Sequence, residues 1–168
     1  FFQTNTQQAT ILYQQIANSA SLSPSDTLLD LYCGTGSIGL YLSQKAQKVI
    51  GIEENPSSIR DALYNAEYNQ ISNAEFIQGR VKNILKFESF DADCVIVDPP
   101  RSGLVPKALR RTLELNSPTI IYVSCNPLTF KEDLKVCLDY GYHVDHIQPV
   151  DMFPHTHHIE LITRLERS

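Results

Sequence analysis

Short apolar runs of strand length alternate along the chain with helix-length stretches that mix apolar and polar positions. Five such runs predict strands, over residues 27–32, 48–52, 74–77, 93–97 and 119–123. The stretches before and between these runs predict helices, over residues 6–19, 37–43, 56–68, 106–115 and 128–138. This alternation is typical of a mostly parallel sheet with helices on both of its faces.

The pattern changes after Gly141, where two extended segments, 143–150 and 158–165, follow each other without room for a helix. Two such neighbours predict an antiparallel hairpin at the edge of the sheet. The prolines and glycines punctuate short elements instead of forming a linker, and there is no internal repeat. The predicted fold is therefore a single α/β, Rossmann-like domain, with a mostly parallel twisted sheet and a C-terminal antiparallel hairpin.

Composition narrows the class of protein further. With 168 residues, 42% of them hydrophobic, the chain can build one core but not two. No apolar run is long enough to span a membrane and the four cysteines lack C-x-x-C spacing, so we expect a cytoplasmic monomer with reduced thiols. The net charge of −5 argues against a surface devoted to nucleic acid, although four basic residues lie between Arg101 and Arg111. A start on Phe1 without methionine suggests a piece of a longer protein.

A glycine-rich turn follows the first predicted strand, in the segment 28–39 (LLDLYCGTGSIG). In an open parallel sheet a ligand binds at such a turn, and Gly34 begins a G-x-G-x-x-G spacing that permits close backbone approach. Glu53 ends the next strand, where its carboxylate is placed to accept hydrogen bonds from a ribose. NAD and S-adenosylmethionine both fit this description, so an NAD-dependent oxidoreductase remains an alternative. Asp30 favours S-adenosylmethionine, because a carboxylate there suits a cationic methionine portion better than a pyrophosphate.

Three further motifs lie at or after predicted strand ends. The first, DPPRSG, begins at Asp98, and its consecutive prolines hold Asp98 and Arg101 on a rigid turn. The second, SCNP, contains Cys125 just before a predicted helix, where the positive helix end favours the reactive thiolate. The third, DMFPHTHHIE, contains three histidines and ends at Glu160. Its adjacent histidines at 157–158 point to opposite faces of an extended segment, so we expect no metal there.

Together these motifs resemble the TrmA/RumA family of RNA 5-methyluridine methyltransferases over nearly the whole chain. The opening FFQTN resembles the family's cofactor segment, DPPRSG followed by IYVSCN resembles its nucleophile signature, and DMFPHTHHIE resembles its base signature. The resemblance implies a class I methyltransferase fold, with Cys125 as nucleophile and Glu160 as base. The residues expected to line the S-adenosylmethionine site, from the resemblance and the glycine-rich turn, are Gln3, Asp30, Tyr32, Gly34, Ser37, Glu53 and Asp98.

The resemblance also implies a reaction and a partner. Residues 1–168 would form a catalytic domain that transfers a methyl group from S-adenosyl-L-methionine to carbon 5 of a uridine, in a loop or unpaired segment of RNA. The motif over residues 151–156 is closer to the ribosomal-RNA branch, which predicts 23S rRNA rather than tRNA as substrate. The RNA-binding portion that the family usually carries, and the iron–sulfur cluster of some members, are not encoded in this chain.

The chain departs from the family pattern in two places, and other functions stay open. Ser37 stands where family members often carry asparagine, and no residue near Arg80 matches a further cofactor contact. An amino-group methyltransferase of nucleic acid is one alternative, but its D/N-P-P-aromatic loop would have Arg101 in place of the aromatic residue, and it needs no cysteine such as Cys125. A catalytically silent RNA-binding module is disfavoured by the negative charge.

Overall fold

The computed structural model describes residues 6–152 and 159–168, and a seven-stranded sheet runs through them. The strands are β1 (Thr27–Leu31), β2 (Lys48–Glu53), β3 (Ala74–Gln78), β4 (Cys94–Val97), β5 (Thr119–Ser124), β6 (Tyr142–Val150) and β7 (Glu160–Arg167). Their order is β3-β2-β1-β4-β5-β7-β6, with β1 to β5 parallel and β7 antiparallel to both β5 and β6. The predicted parallel sheet with a C-terminal antiparallel hairpin is confirmed, although β7 lies inside the sheet and β6 forms its edge.

Helices cover both faces of the sheet, as predicted. They are α1 (Thr6–Ala20), α2 (Ser37–Leu42), α3 (Pro56–Tyr68), α4 (Val81–Phe87), α5 (Pro106–Glu114) and α6 (Pro127–Asp139). Apolar residues of α1 and α2 pack on one face, and those of α4, α5 and α6 pack on the other. Sequence analysis did not predict α4. No helix within the described ranges is long and apolar enough to cross a membrane.

Two helices begin at asparagines whose side chains cap them. Asn55 Oδ1 accepts a hydrogen bond from the Ser57 backbone N–H at the start of α3 (2.8 Å). Asn126 Oδ1 accepts one from the Leu128 N–H at the start of α6 (3.1 Å). A proline follows each cap, where its fixed φ suits the first helical turn and its missing N–H costs nothing. The capped start of α6 holds the backbone directly after Cys125.

The central strands β1, β4 and β5 are buried on both faces. Leu28, Leu29 and Ile121 are fully buried, as expected for parallel strands that lie between two layers of helices. Asp30 in β1 is only 1% exposed. A buried carboxylate costs free energy unless it is fully paired, so Asp30 indicates a functional site at the carboxyl end of β1.

The strand order reverses beside β1, which lies between β2 and β4. The chain segments that leave β1 and β4 therefore diverge to helices on opposite faces of the sheet. In sheets of this class such a reversal forms a crevice at the carboxyl ends of the strands, where ligands bind. Because β7 runs antiparallel to β5, its first residue, Glu160, comes to the same edge of the sheet. Four of the predicted site segments thus meet at one edge.

Candidate active site

The turn after β1 is shaped by glycines and held by one carboxylate. Glu53 at the end of β2 accepts hydrogen bonds from the backbone N–H groups of Gly34 (3.2 Å) and Asn55 (2.8 Å), one on each oxygen. Gly34 has φ +54° and open space where a side chain would lie, whereas a Cβ on Gly36 would come 2.9 Å from the Phe76 ring. A ligand can thus approach the backbone at Gly34 beside the Glu53 carboxylate.

Asp30 lies in the strand that leads into this turn. Its Oδ2 accepts a hydrogen bond from the Gly39 backbone N–H (3.0 Å), and its Oδ1 is buried without a hydrogen-bond partner among the described residues. Burial raises the pKa of Asp30 to about 7; the Gly39 N–H opposes this rise, and the charges of Asp98 and Glu53 add to it. The fold thus keeps an acid with an unsatisfied oxygen next to the candidate ligand crevice.

Asp98 follows β4 on the other side of the crevice and is partly buried. Burial raises its pKa to about 7. Asp98, Asp30 and Glu53 form a group of three carboxylates, in which the charges of Asp98 and Glu53 add to the raised pKa of Asp30. A positively charged ligand among them would relieve this repulsion, whereas an anionic group such as a pyrophosphate would increase it.

One residue that sequence analysis missed, Tyr13 of α1, also borders the crevice. Its hydroxyl is hydrogen-bonded to the Ser37 side chain, and Ser37 Oγ lies 3.1 Å from Thr35 Oγ1. Burial raises the pKa of Tyr13, the Ser37 hydrogen bond opposes this, and the charges of Asp98 and Asp30 raise it further. No local motif distinguishes Tyr13, because its place at the site depends on how α1 packs against the sheet.

Tyr32, a predicted cofactor residue, follows β1 with φ +64° and is partly buried. Burial raises its pKa to about 12, and the charges of Glu54, Asp133 and Glu53 add to the rise. Tyr32 therefore lies between the end of β2 and helix α6. Gln3, also predicted to contact the cofactor, lies outside the described residues.

Cys125 and Glu160 meet at the end of the β5–β7 ladder. Ser124 pairs with Leu161 in the antiparallel register, and Cys125 and Glu160 are the next residues on their two segments. Both side chains are partly buried. The ladder therefore brings together two residues that sequence analysis placed in separate motifs.

The structure contradicts the expected bias of Cys125 toward the thiolate. Burial raises the pKa of its thiol, and the negative charges of Glu160 and Asp98 raise it further. The positive charge of Arg101 opposes them without reversing the shift. Cys125 does precede a helix, but the predicted consequence is wrong because burial, together with two carboxylates from other segments, raises the pKa of the same thiol.

Glu160 has an altered pKa of its own. Burial raises it to about 7, Asp98 adds to the rise, and Arg101 opposes it. A carboxyl group that titrates near neutral pH is suited to accept a proton in a reaction. Asp98 and Arg101 thus both act on Cys125 and on Glu160, and the four residues form one electrostatic cluster at the edge of the sheet.

Metal ligands are not grouped in the part of the chain that the structure describes. No three histidine, cysteine or acidic side chains within it are arranged to hold an ion. All four cysteines are free thiols, and burial raises the pKa of the three that are buried, namely Cys33, Cys94 and Cys137. The histidines at 155 and 157–158 lie outside the described residues.

Known proteins are similar to this chain over nearly its full length. The family model for tRNA (uracil-5-)-methyltransferases matches residues 1–168. A Clostridium tetani protein named as an RNA methyltransferase is 45% identical over 167 residues, which cover 99% of this chain and 37% of that protein. A Chlorobaculum tepidum protein named in the same way is also 45% identical, covering 100% of this chain and 36% of the relative. The chain therefore spans little more than a third of the length of these curated relatives.

Solved structures agree with the observed fold. The crystal structure of the Pyrococcus abyssi tRNA (uracil-54, C5)-methyltransferase, in complex with S-adenosyl-L-homocysteine, matches with a TM-score of 0.85 and 39% identity, over 98% of this chain and 40% of that one. A precorrin-6y C5,15-methyltransferase from Geobacter metallireducens shares the fold with a TM-score of 0.80 and 15% identity, over 94% of this chain and 88% of that one. The class I methyltransferase fold expected from the sequence is confirmed. This chain therefore belongs to the tRNA (uracil-5-)-methyltransferase family.

Proposed function

We propose that residues 1–168 form the catalytic domain of an S-adenosylmethionine-dependent methyltransferase, which methylates carbon 5 of a uridine in RNA. The observation that carries this proposal is the pairing of Cys125 with Glu160 beside an acidic crevice. Cys125, Glu160 and the acidic crevice all lie at the carboxyl edge of the parallel strands of one sheet. The family of the chain and the Pyrococcus abyssi relative support the same reaction.

The charges and the hydrogen-bond acceptors around the crevice suit S-adenosylmethionine. The cofactor carries a sulfonium and an ammonium group, and both would be stabilised among the carboxylates of Asp30, Glu53 and Asp98. Glu53 keeps lone pairs free for a ribose diol after it has accepted the Gly34 and Asn55 N–H groups. The Pyrococcus abyssi relative binds S-adenosyl-L-homocysteine.

The remaining cofactor contacts are proposed from the resemblance. Gln3, Tyr32 and Ser37 would line the same site, and the open backbone at Gly34 would face the ligand. The cofactor would supply the methyl group as an electrophile on its sulfur. Side chains of this protein would carry out the other steps, namely addition to the base and removal of the proton.

Cys125 would act first, because carbon 5 of uracil is too weak a nucleophile to take a methyl group unaided. The Cys125 thiolate adds to carbon 6, and the electrons of the C5–C6 double bond move to form an enolate that is nucleophilic at carbon 5. In the ligand-free protein burial raises the pKa of the thiol, and the charges of Glu160 and Asp98 raise it further, so all three disfavour the thiolate. A cation bound beside Asp98 would offset the contribution of that residue and so would favour the thiolate.

Glu160 would complete the reaction. Once carbon 5 carries the methyl group, the Glu160 carboxylate removes the remaining proton from that carbon. The released electrons re-form the C5–C6 double bond and expel the Cys125 thiolate, so the cysteine is regenerated. Burial raises the pKa of Glu160 to about 7, which makes it a stronger base than an exposed glutamate.

The substrate would be a uridine that can leave its stack. A base inside a duplex cannot reach Cys125, so loops and unpaired segments are favoured, and flipping costs a few kcal/mol at most in such places. The motif over residues 151–156 favours 23S rRNA. The Pyrococcus abyssi relative is a tRNA (uracil-54, C5)-methyltransferase, so tRNA is the substrate to compare.

Methylation of purified RNA tests the proposal. The protein is incubated with methyl-labelled S-adenosylmethionine and either 23S rRNA or tRNA from cells that lack its gene, and the digested nucleosides are identified by mass spectrometry. We expect label in 5-methyluridine, from 23S rRNA in preference to tRNA. Label on an exocyclic amino group would instead support the amino-group methyltransferase, and tighter binding of NAD than of S-adenosylmethionine would support an oxidoreductase.

A further inference from the structure

The DPPRSG loop, which carries Asp98 and Arg101, is fastened to helix α6 at two points. The Arg101 carbonyl oxygen accepts hydrogen bonds from Asn126 Nδ2 (3.1 Å) and Thr129 Oγ1 (3.4 Å). The backbone N–H just after the loop, on Leu104, donates to Asp133 Oδ2 (3.1 Å). Both ends of the segment between Arg101 and Leu104 are thus tied to the same helix.

The second attachment is anchored in the core. Asp133 Oδ2 also accepts a hydrogen bond from the Tyr122 hydroxyl (2.5 Å). Tyr122 belongs to β5, is 1% exposed, and packs against Phe130 with ring centroids 4.9 Å apart. Hydrogen bonds to an ionised acceptor are about twice as strong as neutral ones. Asp133 therefore connects a rigid central strand to the loop.

The loop backbone passes directly over this anchor. Gly103 has φ +75°, and a Cβ added to it would come 3.2 Å from both Asp133 Oδ2 and Thr129 Cβ. Only a residue without a side chain allows the loop to lie so close to α6. The loop backbone at Gly103 therefore packs directly against Asp133 and Thr129, with no room for a side chain between them.

The position of this loop bears on the reacting groups. Arg101 opposes the charges that raise the pKa of Cys125 and of Glu160. Coulombic interaction weakens with distance, so a displaced Arg101 would act less on both groups. Asp133 is not among the groups that shift the pKa of Cys125 directly.

We propose that Asp133 is a positioning residue, which clamps the DPPRSG loop against α6 so that Arg101 stays beside Cys125. The proposal rests on the proposed role of Cys125 as nucleophile. Asp133 touches neither Cys125 nor Glu160 and acts through the loop. Loss of the clamp should therefore alter the reactivity of the thiol even where the fold is intact.

Alkylation of Cys125 by iodoacetamide, measured against pH in the free protein, tests the clamp. Cys125 is the most accessible of the four cysteines, and peptide mass spectrometry isolates its reaction. In Asp133→Ala we expect the midpoint of the profile to rise by about half a pH unit, which slows alkylation about threefold below the midpoint. Asp133→Asn keeps an oxygen that can accept both hydrogen bonds, so its profile should return close to that of the wild type.

Glu132→Ala is the matched control, because Glu132 lies next to Asp133 on α6 but is exposed and paired with Lys135. It removes one charge and leaves the clamp intact, so its profile should equal that of the wild type. A shift as large as that of Asp133→Ala would overturn the proposal, since charge alone would then explain the effect. A folded Asp133→Ala protein with an unchanged profile would overturn it as well.

If Asp133→Ala does not fold, Gly103→Ala tests the same clamp from the loop side. A methyl group there pushes the loop away from Asp133 and Thr129, so the midpoint should rise as in the alanine variant. An unchanged midpoint in folded Gly103→Ala would contradict the clamp. Because alkylation needs neither RNA nor cofactor, a failure here is distinguishable from a failure of methylation, which would instead contradict the proposed function.

Discussion

Glu160 and Cys125 each lie one residue beyond the last registered pair of the β5–β7 ladder, and the Glu160 carboxylate raises the pKa of the Cys125 thiol. The relationship exists because β7 runs antiparallel to β5, so the start of one strand meets the end of the other. The residues proposed as base and nucleophile are therefore brought together by the pairing of these two strands.

Asp98→Asn should make Cys125 more reactive in the free protein. Asp98 raises the pKa of Cys125 and of Glu160, so removal of its negative charge favours the thiolate and lowers the thiol pKa. The pH profile of iodoacetamide alkylation at Cys125 measures this, and its midpoint should move to lower pH. A midpoint that stays in place would show that Asp98 does not act on the thiol.

Glu53→Ala should weaken cofactor binding by about 1–3 kcal/mol, the usual cost of losing hydrogen bonds to a charged acceptor. Titration calorimetry with S-adenosyl-L-homocysteine measures the change. Glu54→Ala is the control, because Glu54 is exposed and paired with Arg80 (2.9 Å). Equal losses in both variants would mean that the ligand is not recognised by Glu53.

Asp30→Asn should make the free energy of unfolding fall less between pH 5 and pH 8 than it does in the wild type. The pKa of Asp30 is about 7 in the fold against 3.8 for an unperturbed aspartate, so the folded state binds the proton more tightly than the unfolded state. That contribution is complete below about pH 4 and is lost as the pH rises through 7. Urea unfolding at pH 5 and pH 8 should therefore show a smaller decrease in the free energy of unfolding for the variant than for the wild type.

The same pH dependence in both proteins would contradict the raised pKa of Asp30. Asp98 and Glu160 also titrate near 7, so the variant should retain part of the decrease. The comparison of the two proteins isolates Asp30.

Most of the fold follows from local sequence, and what does not follow depends on contacts between distant segments. Helix α3 was predicted with its observed bounds because Asn55 and Pro56 give it a strong start. Helix α4 lacks such a signal: Arg80 makes no side-chain cap, and only Val81 and Leu85 are buried along its seven residues. It is stabilised by packing on the sheet and on α5, which no local pattern reveals.

In the candidate site, too, the residues with a local motif could be predicted, whereas the effects of distant segments could not. Cys125 and Glu160 were found from motifs, and the sheet brings them together. The predicted direction of the Cys125 pKa shift was wrong, because helix position is a local feature, whereas the burial of the thiol and the charges of Glu160 and Asp98 depend on contacts between distant segments. Tyr13 was missed for the same reason, since its contact with Ser37 depends on the docking of α1.

The order of steps in the proposed reaction is tested by two substitutions that should fail differently. Cys125→Ala removes the nucleophile, so neither turnover nor a covalent species should be detected. Glu160→Gln leaves addition and methyl transfer possible but removes the group that takes the carbon 5 proton. Elimination then cannot begin, and the methylated uridine should stay attached to Cys125.

The most direct measurement is denaturing gel electrophoresis of the Glu160→Gln protein after incubation with RNA and methyl-labelled S-adenosylmethionine. The account predicts a protein–RNA species that survives denaturation, carries the methyl label, and is absent when Cys125 is also replaced by alanine. Normal turnover by Glu160→Gln, or 5-methyluridine formed by Cys125→Ala, would contradict it.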